Sequence, residues 1–405
     1  MKLLLVILIF FFSIFNLFSC DLADDNWDNR INQETFYKVF GGNKEDYGFS
    51  VDTTNDGGYI LAGFSTSYGN GNWDAWIVKT DKNGNGLWNR SYGTPKRESA
   101  WQIMQTNNSG YIILGEHSPD NQKGNILLIQ TDSLGYILNE TSYGGEENDG
   151  ARQIIKTSDG GFAIIGYTYS FTAGGRDIWL IKTDSNGNKE WSESYGWVYN
   201  ETGYSLIETI DNGFFLVGSQ WNPKVKKHNI YIVKVDSKGN FEWDKKIHEN
   251  NTGFAHKIIN TSDGLYAISG ISKKLGNDWY DLWMAKIDFS GNFFWQQIYS
   301  TSHIALNQFY FVDIKPTNDG GFISIGPSDQ FGKNMDALLM KFDSEGNNDW
   351  YKTYGGKDQE IGLSVVQARD GGYAFVGRSN SYGNGLYDYF FVKTDSIGES
   401  VVFTQ

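Results

Sequence analysis

Short apolar stretches alternate with turn signals along almost the whole chain. In the first clear example, a stretch at 49–54 with apolar Phe49 and Val51 is followed by an Asn-Asp-Gly-Gly turn at 55–58 and an apolar stretch at 59–64. A Gly- and Asn-rich loop leads to a third stretch at 75–80, and a fourth follows at 87–92. Asp-Gly and Gly-Gly pairs supply the positive-φ positions that tight hairpin turns require. The pattern predicts four antiparallel strands, which we name a, b, c and d.

This four-strand unit recurs seven times. An aromatic residue opens strand b, and a turn aspartate follows strand c, each at intervals of 51 to 56 residues. The aromatics are Tyr59, Tyr111, Phe162, Phe214, Tyr266, Phe322 and Tyr373. The turn aspartates are Asp81, Asp132, Asp184, Asp236, Asp288, Asp343 and Asp395. No stretch shows the 3.6-residue apolar period of a helix, whereas radial repetition of four-stranded units is typical of β-propellers. We therefore predict an all-β, seven-bladed β-propeller of four-stranded antiparallel blades.

Either end of the chain could supply the outer strand of the last blade. Residues 36–42 match residues 350–356, which form strand d of the sixth unit, so an outer-type strand precedes the first unit. An open sheet edge invites pairing with other chains. We expect residues 35–41 to complete the seventh blade and so close the ring with the N-terminal strand. Residues 401–405 are the alternative closing strand, and otherwise form an extra edge strand.

The repeated motifs resemble those of extracellular bacterial and archaeal β-propeller repeat proteins. These motifs read DGGY at residues 56–59, KTD at 79–81 and WxxxYGG at 350–356. The resemblance extends over nearly the whole chain from Phe36 onward and implies the propeller fold. It does not imply a reaction, because most members have none assigned, although some resemble carbohydrate-active proteins.

The first 19 residues have the features of a secretory signal. Lys2 precedes a largely apolar segment of sixteen residues at 3–18, which is short for a membrane span of about 20 residues. The end of this segment, Leu-Phe-Ser-Cys at 17–20, resembles the bacterial lipobox, whose cysteine receives acyl chains such as palmitate. This implies a lipoprotein signal at 1–19, lipidation of Cys20, an acidic tether at 20–34 and a propeller at 35–405. An ordinary signal peptide with an incidental cysteine is the alternative.

The predicted location is the cell envelope, with a lipid anchor in a bacterial membrane, or otherwise outside the cell. Cys20 is the only cysteine, so internal disulfides are excluded. Apolar residues make up 40% of the chain, which excludes wholesale disorder. The formal net charge is −14, and nucleic acid is excluded as a partner because it requires a basic face. We expect a monomer.

Repeated polar residues are interpreted as structural. A lysine in strand c recurs in six of the seven units, with Gln130 as the exception, which favours a structural ion pair. The Asp81 turn resembles a calcium loop in part, but Asp and Asn are also standard turn residues. The five histidines show no metal-binding spacing. We predict no metal and no cofactor.

One rim of the disc is the candidate binding surface. It carries the loops that join strand d to the next strand a, together with the loops between strands b and c. Aligned d–a loops place seven polar residues around the channel mouth, just before strand a. They are Asp46, Glu98, Asp149, Glu201, Asn251, Gln308 and Glu360. They either accept backbone hydrogen bonds from a neighbouring blade or form an acidic funnel for a cation or cationic partner.

Blades four to six depart most from the repeat on this rim. Residues 221–228, which include Trp221, are basic in an acidic protein, residues 275–280 bring in Trp279 and Tyr280, and residues 302–306 are an insertion. Aromatic rings beside amides and carboxylates are suited to stacking on sugars. Ordinary loop variation is the alternative.

Two function classes remain open. The first is a binding or interaction module for a protein or glycan ligand, favoured because the sequence contains no recognisable catalytic motif such as the GxSxG elbow. The second is an enzyme acting on extracellular glycans through two carboxylates, which are too far apart in sequence for a motif search to find.

Overall fold

The computed structural model describes residues 34–118, 123–172, 174–197, 199–247, 251–274, 279–304, 312–329 and 334–401. Its 28 strands form seven four-stranded antiparallel sheets arranged as a seven-bladed propeller, which confirms the predicted fold. Within these ranges, no helix has the length and apolar character needed to cross a bilayer.

Blades 1 to 6 contain strands a to d in chain order, with strand a innermost and strand d outermost. Blade 1 has β2 (Asp46–Thr53), β3 (Tyr59–Ser65), β4 (Asp74–Thr80) and β5 (Gly86–Tyr92). Blade 2 has β6 (Arg97–Gln105), β7 (Tyr111–Ser118), β8 (Asn125–Thr131) and β9 (Ile137–Tyr143). Blade 3 has β10 (Asp149–Lys156), β11 (Phe162–Thr168), β12 (Asp177–Thr183) and β13 (Lys189–Tyr195). Blade 4 has β14 (Glu201–Glu208), β15 (Phe214–Asn222), β16 (Lys227–Val235) and β17 (Phe241–Ile247).

Blades 5 and 6 follow the same order, and blade 7 takes its outer strand from the N-terminus. Blade 5 has β18 (Asn251–Asn260), β19 (Tyr266–Lys274), β20 (Tyr280–Ile287) and β21 (Phe293–Ile304). Blade 6 has β22 (Asp313–Pro316), β23 (Phe322–Ser328), β24 (Asp336–Phe342) and β25 (Asn348–Tyr354). Blade 7 has β26 (Glu360–Gln367), β27 (Tyr373–Ser379), β28 (Asp388–Thr394) and, as its outer strand, β1 (Phe36–Phe40).

The N-terminal strand closes the ring, as predicted. β1 pairs antiparallel with β28, from Phe36 opposite Lys393 to Phe40 opposite Tyr389. Phe36 takes the place that tryptophan occupies in five of the six other outer strands. Its ring packs against Phe391 at 5.0 Å and Tyr59 at 6.2 Å between ring centroids. Residues 402–405, most of the alternative closing strand, lie outside the described residues.

Tight turns and ion pairs between a buried lysine and a partly exposed aspartate repeat in most blades. Gly57, in the a–b turn of blade 1, has φ of 85°, a left-handed value that disfavours larger residues. Nearby, the Lys79 ammonium lies 2.9 Å from an Asp56 carboxylate oxygen and donates to the Thr80 carbonyl oxygen at 2.7 Å. The strand-c lysines of blades 3 to 7 pair with their a–b turn aspartates in the same way. The repeated lysine is therefore structural.

Apolar clusters lie between neighbouring blades. The cluster between blades 7 and 1 contains Phe36, Leu61, Trp76, Val376 and Phe391, all buried. The outer strands instead alternate between exposed and half-buried residues, because only one of their faces packs on a neighbour. Stability therefore comes from contacts around the whole ring.

Candidate functional site

The predicted rim acids are buried. The side chains of Asp46, Asp149, Glu201 and Glu360 are at most 1% exposed, and that of Glu98 is 5% exposed. Asp46, Asp149, Glu201 and Glu360 are the first residues of their inner strands, and Glu98 is the second residue of its strand, so these strands begin earlier than the sequence predicts. Asn251 is half-buried at the start of β18, and Gln308 lies outside the described residues.

These carboxylates accept hydrogen bonds from the two loops around them. Asp149 accepts from the Gly145 N–H at 2.8 Å and the Ser170 hydroxyl at 2.7 Å. Glu360 accepts from the Gly356 N–H and the Ser379 hydroxyl, both at 2.6 Å. The donors lie in the preceding d–a loop and at the b–c loop of the same blade. The sequence had suggested donors in a neighbouring blade. The acids thus hold rim loops together, and a binding role for them remains a prediction.

Carboxyl groups meet in pairs where one blade joins the next. Gly41 lies against the carboxyl groups of both Asp46 and Asp388. A β-carbon on Gly41 would lie 1.7 Å from Asp388 Oδ1 and 2.8 Å from Asp46 Oδ2, so only glycine fits between the two acids. The Oδ1 atoms of both aspartates are buried without a hydrogen-bond partner. Burial raises the pKa of Asp388 to about 6, and repulsion from Asp46 adds to the rise. We call this arrangement a carboxyl pair.

Two further carboxyl pairs have the same geometry. Asp336 lies beside Glu360, and burial together with the Glu360 charge raises the pKa of Asp336 to about 6. Asp177 lies beside Glu201, whose pKa rises to about 7, mainly through burial. Between blades 2 and 3, Asn125 takes the place of the first acid. A neutral side chain is therefore accommodated at this position.

The predicted rim aromatics differ in exposure. Trp279 is 43% exposed at the rim, whereas Tyr280 is only 3% exposed and packs near Phe254, because it begins β20 instead of lying in the loop. Trp221 is half-buried and contacts His228 at 4.9 Å between ring centroids. Residues 221–228 are a longer hairpin, in which β15 and β16 continue pairing to Asn222 and Lys227.

The side chains that differ most among blades lie in the central channel. In blades 1 to 5 and 7, strand a contains a β-bulge, where one extra residue interrupts the pairing with strand b. The bulge residues are Phe49, Trp101, Arg152, Tyr204, His256 and Leu363. All of them line a cavity of about 370 Å³ formed by the seven inner strands. No two of these six side chains are alike.

A belt of polar side chains surrounds this cavity one residue further along each strand. Each belt residue, except in blade 5, accepts an N–H from the inner strand of the next blade. For example, Gln102 accepts from Ile154 at 2.9 Å, and Ser364 accepts from Val51 at 3.4 Å, which joins blade 7 to blade 1. The others are Ser50, Gln153, Ser205 and Asp313. In blade 5 the belt residue is Lys257, which has no acceptor atom.

Charged and aromatic groups meet in the cavity. The Arg152 guanidinium donates to Glu116 at 3.0 Å and lies 5.1 Å from the centre of the Trp101 ring. Phe49 stacks on Trp101 with ring centroids 4.6 Å apart. His256 is buried, which lowers its pKa to about 3 and keeps it neutral at pH 7. Among the described residues, no group of three or more His, Cys, Asp or Glu residues could hold a metal ion.

Our sequence reasoning did not find the channel residues, although a signal was present. A Gly or Ala residue precedes each bulge, for example Gly48, Ala100 and Ala151, and so marks the same position in successive copies. The next residue changes from aromatic to cationic to aliphatic around the ring. Variation at one fixed position in an otherwise regular repeat distinguishes a site from the scaffold.

Similar folds occur in several solved structures. Puromycin hydrolase matches with a TM-score of 0.54 and 13% identity over 87% of this chain, which corresponds to 52% of that chain. An α-L-arabinanase from Penicillium chrysogenum has a TM-score of 0.50 and 9% identity, over 73% of this chain and 92% of that chain. A Dyadobacter fermentans protein of unknown function has a TM-score of 0.48 and 12% identity, over 89% of this chain and 98% of that chain.

At these identities the likeness shows the fold alone. This chain spans about half of the puromycin hydrolase chain. No protein-family model matches the sequence. No curated protein matches it either.

Proposed function

We propose that this protein is a lipid-anchored binding propeller of the bacterial cell envelope, and that its ligand enters the central channel. The non-repeating lining of the channel cavity carries the proposal. A purely structural bulge could hold similar side chains in every blade, whereas Trp101, Arg152 and His256 occupy equivalent positions. Half-buried aromatic faces and buried charges around a cavity of this size are typical of small-ligand sites.

The channel hypothesis is tested by comparing channel and rim variants of the full chain on a glycan array. Trp101→Ala and Tyr204→Ala each remove an aromatic face from the cavity, and we expect at least a tenfold loss of binding. Trp279→Ala is the matched control, because it removes an exposed rim aromatic outside the cavity lining. If Trp279→Ala abolishes binding and the channel variants do not, the rim is the binding site.

A glycan hydrolase is the second candidate, because two carboxylates, Asp52 and Asp313, line the same cavity. Burial raises the pKa of Asp52, as suits a general acid. The test is hydrolysis of the polymers used on the array. If the wild type hydrolyses them, and Asp52→Asn or Asp313→Asn abolishes hydrolysis while the chain stays folded, the protein is an enzyme and not only a binding module. Retained binding without hydrolysis supports the binding module.

The lipid anchor rests on Cys20, the sole cysteine, which directly follows the apolar signal segment. Cys20→Ser should block acylation, which is measured as loss of incorporated radiolabelled palmitate and of membrane-fraction protein. The control is the wild-type chain expressed in parallel. Wild-type mature protein found in the medium with an N-terminus other than residue 20 would contradict the anchor.

A further inference from the structure

Two lysines in the channel differ from the repeated lysines in their surroundings. The six repeated lysines each lie 2.6–2.9 Å from an aspartate oxygen. Lys257 is nearly buried, yet its closest carboxylate oxygen is Asp313 Oδ1 at 3.9 Å. Lys315 forms no direct ion pair within the described residues, but its charge opposes the rise that burial causes in the pKa of Asp52. Burial and the neighbouring Lys315 charge lower the pKa of Lys257 to about 8. Neither ammonium group has a described carboxylate oxygen at the 2.6–2.9 Å seen for the repeated lysines.

The two nearby carboxylates already serve backbone groups. Asp313 Oδ2 accepts from the Val365 N–H at 3.1 Å and the Ser364 hydroxyl at 3.3 Å. Asp52 accepts from the N–H groups of Thr53 at 2.9 Å and Gln105 at 3.3 Å. These donors fix the orientation of the two carboxylates, and neither carboxylate forms a close ion pair with Lys257 or Lys315.

Lys257 also does not make the hydrogen bond that the other residues of the polar belt accept. Every other belt side chain accepts an N–H from the next blade, and glutamine does so in blades 2 and 3. A lysine cannot accept this bond, and its charge is costly to bury. The scaffold alone would favour glutamine or serine at this position.

Flat apolar surfaces lie in the same cavity. Phe49 and Trp101 stack on each other on the side of blades 1 and 2, and Tyr204 adds a third half-buried ring. The Arg152 guanidinium forms an ion pair with Glu116, and Lys156 donates to Asn107. Lys257 and Lys315, in contrast, form no close ion pair among the described residues. A volume of about 370 Å³ admits a single sugar-sized ring.

We infer that the channel binds a ring-shaped ligand that carries an oxyanion, with the oxyanion at Lys257 and Lys315 and the ring against Phe49 and Trp101. The inference rests on the proposed channel-binding function and names its ligand class. Carboxylate, sulfate and phosphate share the required chemistry of charged oxygen acceptors. A sugar bearing one of these groups fits both halves of the cavity.

The test is isothermal titration calorimetry on the full chain in detergent at low salt, with four sugars that share one ring. D-glucuronate, glucose 6-sulfate and glucose 6-phosphate supply the three oxyanions, and D-glucose is the uncharged counterpart. At least one charged sugar should bind at least tenfold more tightly than glucose. Its affinity should fall as the pH rises past about 8, because Lys257 then loses its proton.

The lysine variants test the assignment directly. Lys257→Gln and Lys315→Gln should each reduce the affinity for the charged sugar at least fivefold, and together they should bring it to the glucose level. Lys257→Gln should also melt no lower than wild type, because glutamine can accept the belt hydrogen bond. Lys156→Gln is the matched control, since this cavity-lining lysine already donates to Asn107 at 2.7 Å.

Three outcomes would overturn the inference: no charged sugar binds, glucose binds equally well, or the double lysine variant retains full affinity. The channel proposal would survive any of these if a neutral glycan bound in a Trp101-dependent manner. A loss of array binding only in Trp279→Ala would instead refute the channel, so the two failures are distinguishable.

Discussion

A chain that begins at Glu45 should melt well below one that begins at Glu34, and it should aggregate. The shorter chain lacks β1, so it exposes the edge of β28 and uncovers the cluster between blades 7 and 1. Burial of Phe36 alone is worth roughly 1.5–3 kcal/mol, and Phe40 packs on the same cluster. The loss is a large share of a typical unfolding free energy of about 5–15 kcal/mol. Thermal melts and light scattering measure both effects.

Two controls separate closure from a general effect of trimming. Removing residues 401–405 should change the melting temperature much less, because β1 already occupies the outer position of blade 7. Within β1, Phe36→Ala should lower the melting temperature far more than Lys38→Ala. The Lys38 ammonium makes only an exposed hydrogen bond to Asn85. Greater damage from the C-terminal deletion would contradict closure by β1.

The protein should be more stable near pH 5 than at pH 8. In the folded chain, the carboxyl pairs hold Asp388 and Asp336 at a pKa of about 6 and Glu201 at about 7. Unfolding returns these groups to about 4, so the folded state binds more protons and loses stability as the pH rises from about 4 to 7. A pKa shift of this size corresponds to about 3 kcal/mol at most for a fully buried group, and to less for Asp336, which is half-buried. Denaturant titrations at several pH values test this directly.

Replacing one acid of a pair by its amide should remove this pH dependence. Asp388→Asn should stabilise the chain at pH 8, because an amide can donate to Asp46 while still accepting from the Asn384 and Gly385 N–H groups. Asn125, which takes the equivalent place between blades 2 and 3, is the natural counterpart. Glu146→Gln, at an exposed site, should have little effect. If Asp388→Asn destabilises the chain at pH 8, both carboxylates are needed in their charged form.

Acid should still denature the protein eventually. The a–b turn aspartates Asp56 and Asp159 have a pKa of about 2, because hydrogen bonds from threonine hydroxyls and lysine ammoniums outweigh the effect of burial. A depressed pKa contributes stability above the unfolded value of about 4 and loses it as the pH falls towards 2. The optimum should therefore lie between these two transitions.

The sequence predicted the scaffold well because one unit is repeated seven times. Strands b, c and d of blade 1 were predicted to within one residue of the observed bounds, and the match between residues 36–42 and 350–356 predicted the closing strand. Strand a begins earlier than predicted, because Asp46 is polar yet buried. A buried carboxylate that accepts loop N–H groups cannot be distinguished from an exposed one by polarity alone.

The candidate site was harder to predict because bulges break the two-residue period of a strand. At Arg152, one extra residue shifts the alternation, so inward and outward positions cannot be counted from the strand ends. Arg152, on the inner strand of blade 3, pairs with Glu116 on β7 of blade 2. This contact depends on how the two blades pack, which cannot be predicted from a local sequence pattern. Tyr280 was placed on the rim because the length of its hairpin could not be read from the loop sequence.

The pairing of β1 with β28 also sets the order in which the fold can be completed. If the chain is exported with its N-terminus first, β1 emerges about 350 residues before the strand it pairs with. Contacts of such high sequence separation form late and slowly. Blades 1 to 6 can assemble while export continues, but blade 7 must wait for the last strand. A closed ring therefore forms only from a chain that has been delivered in full, and a truncated product retains an open edge that a protease can recognise.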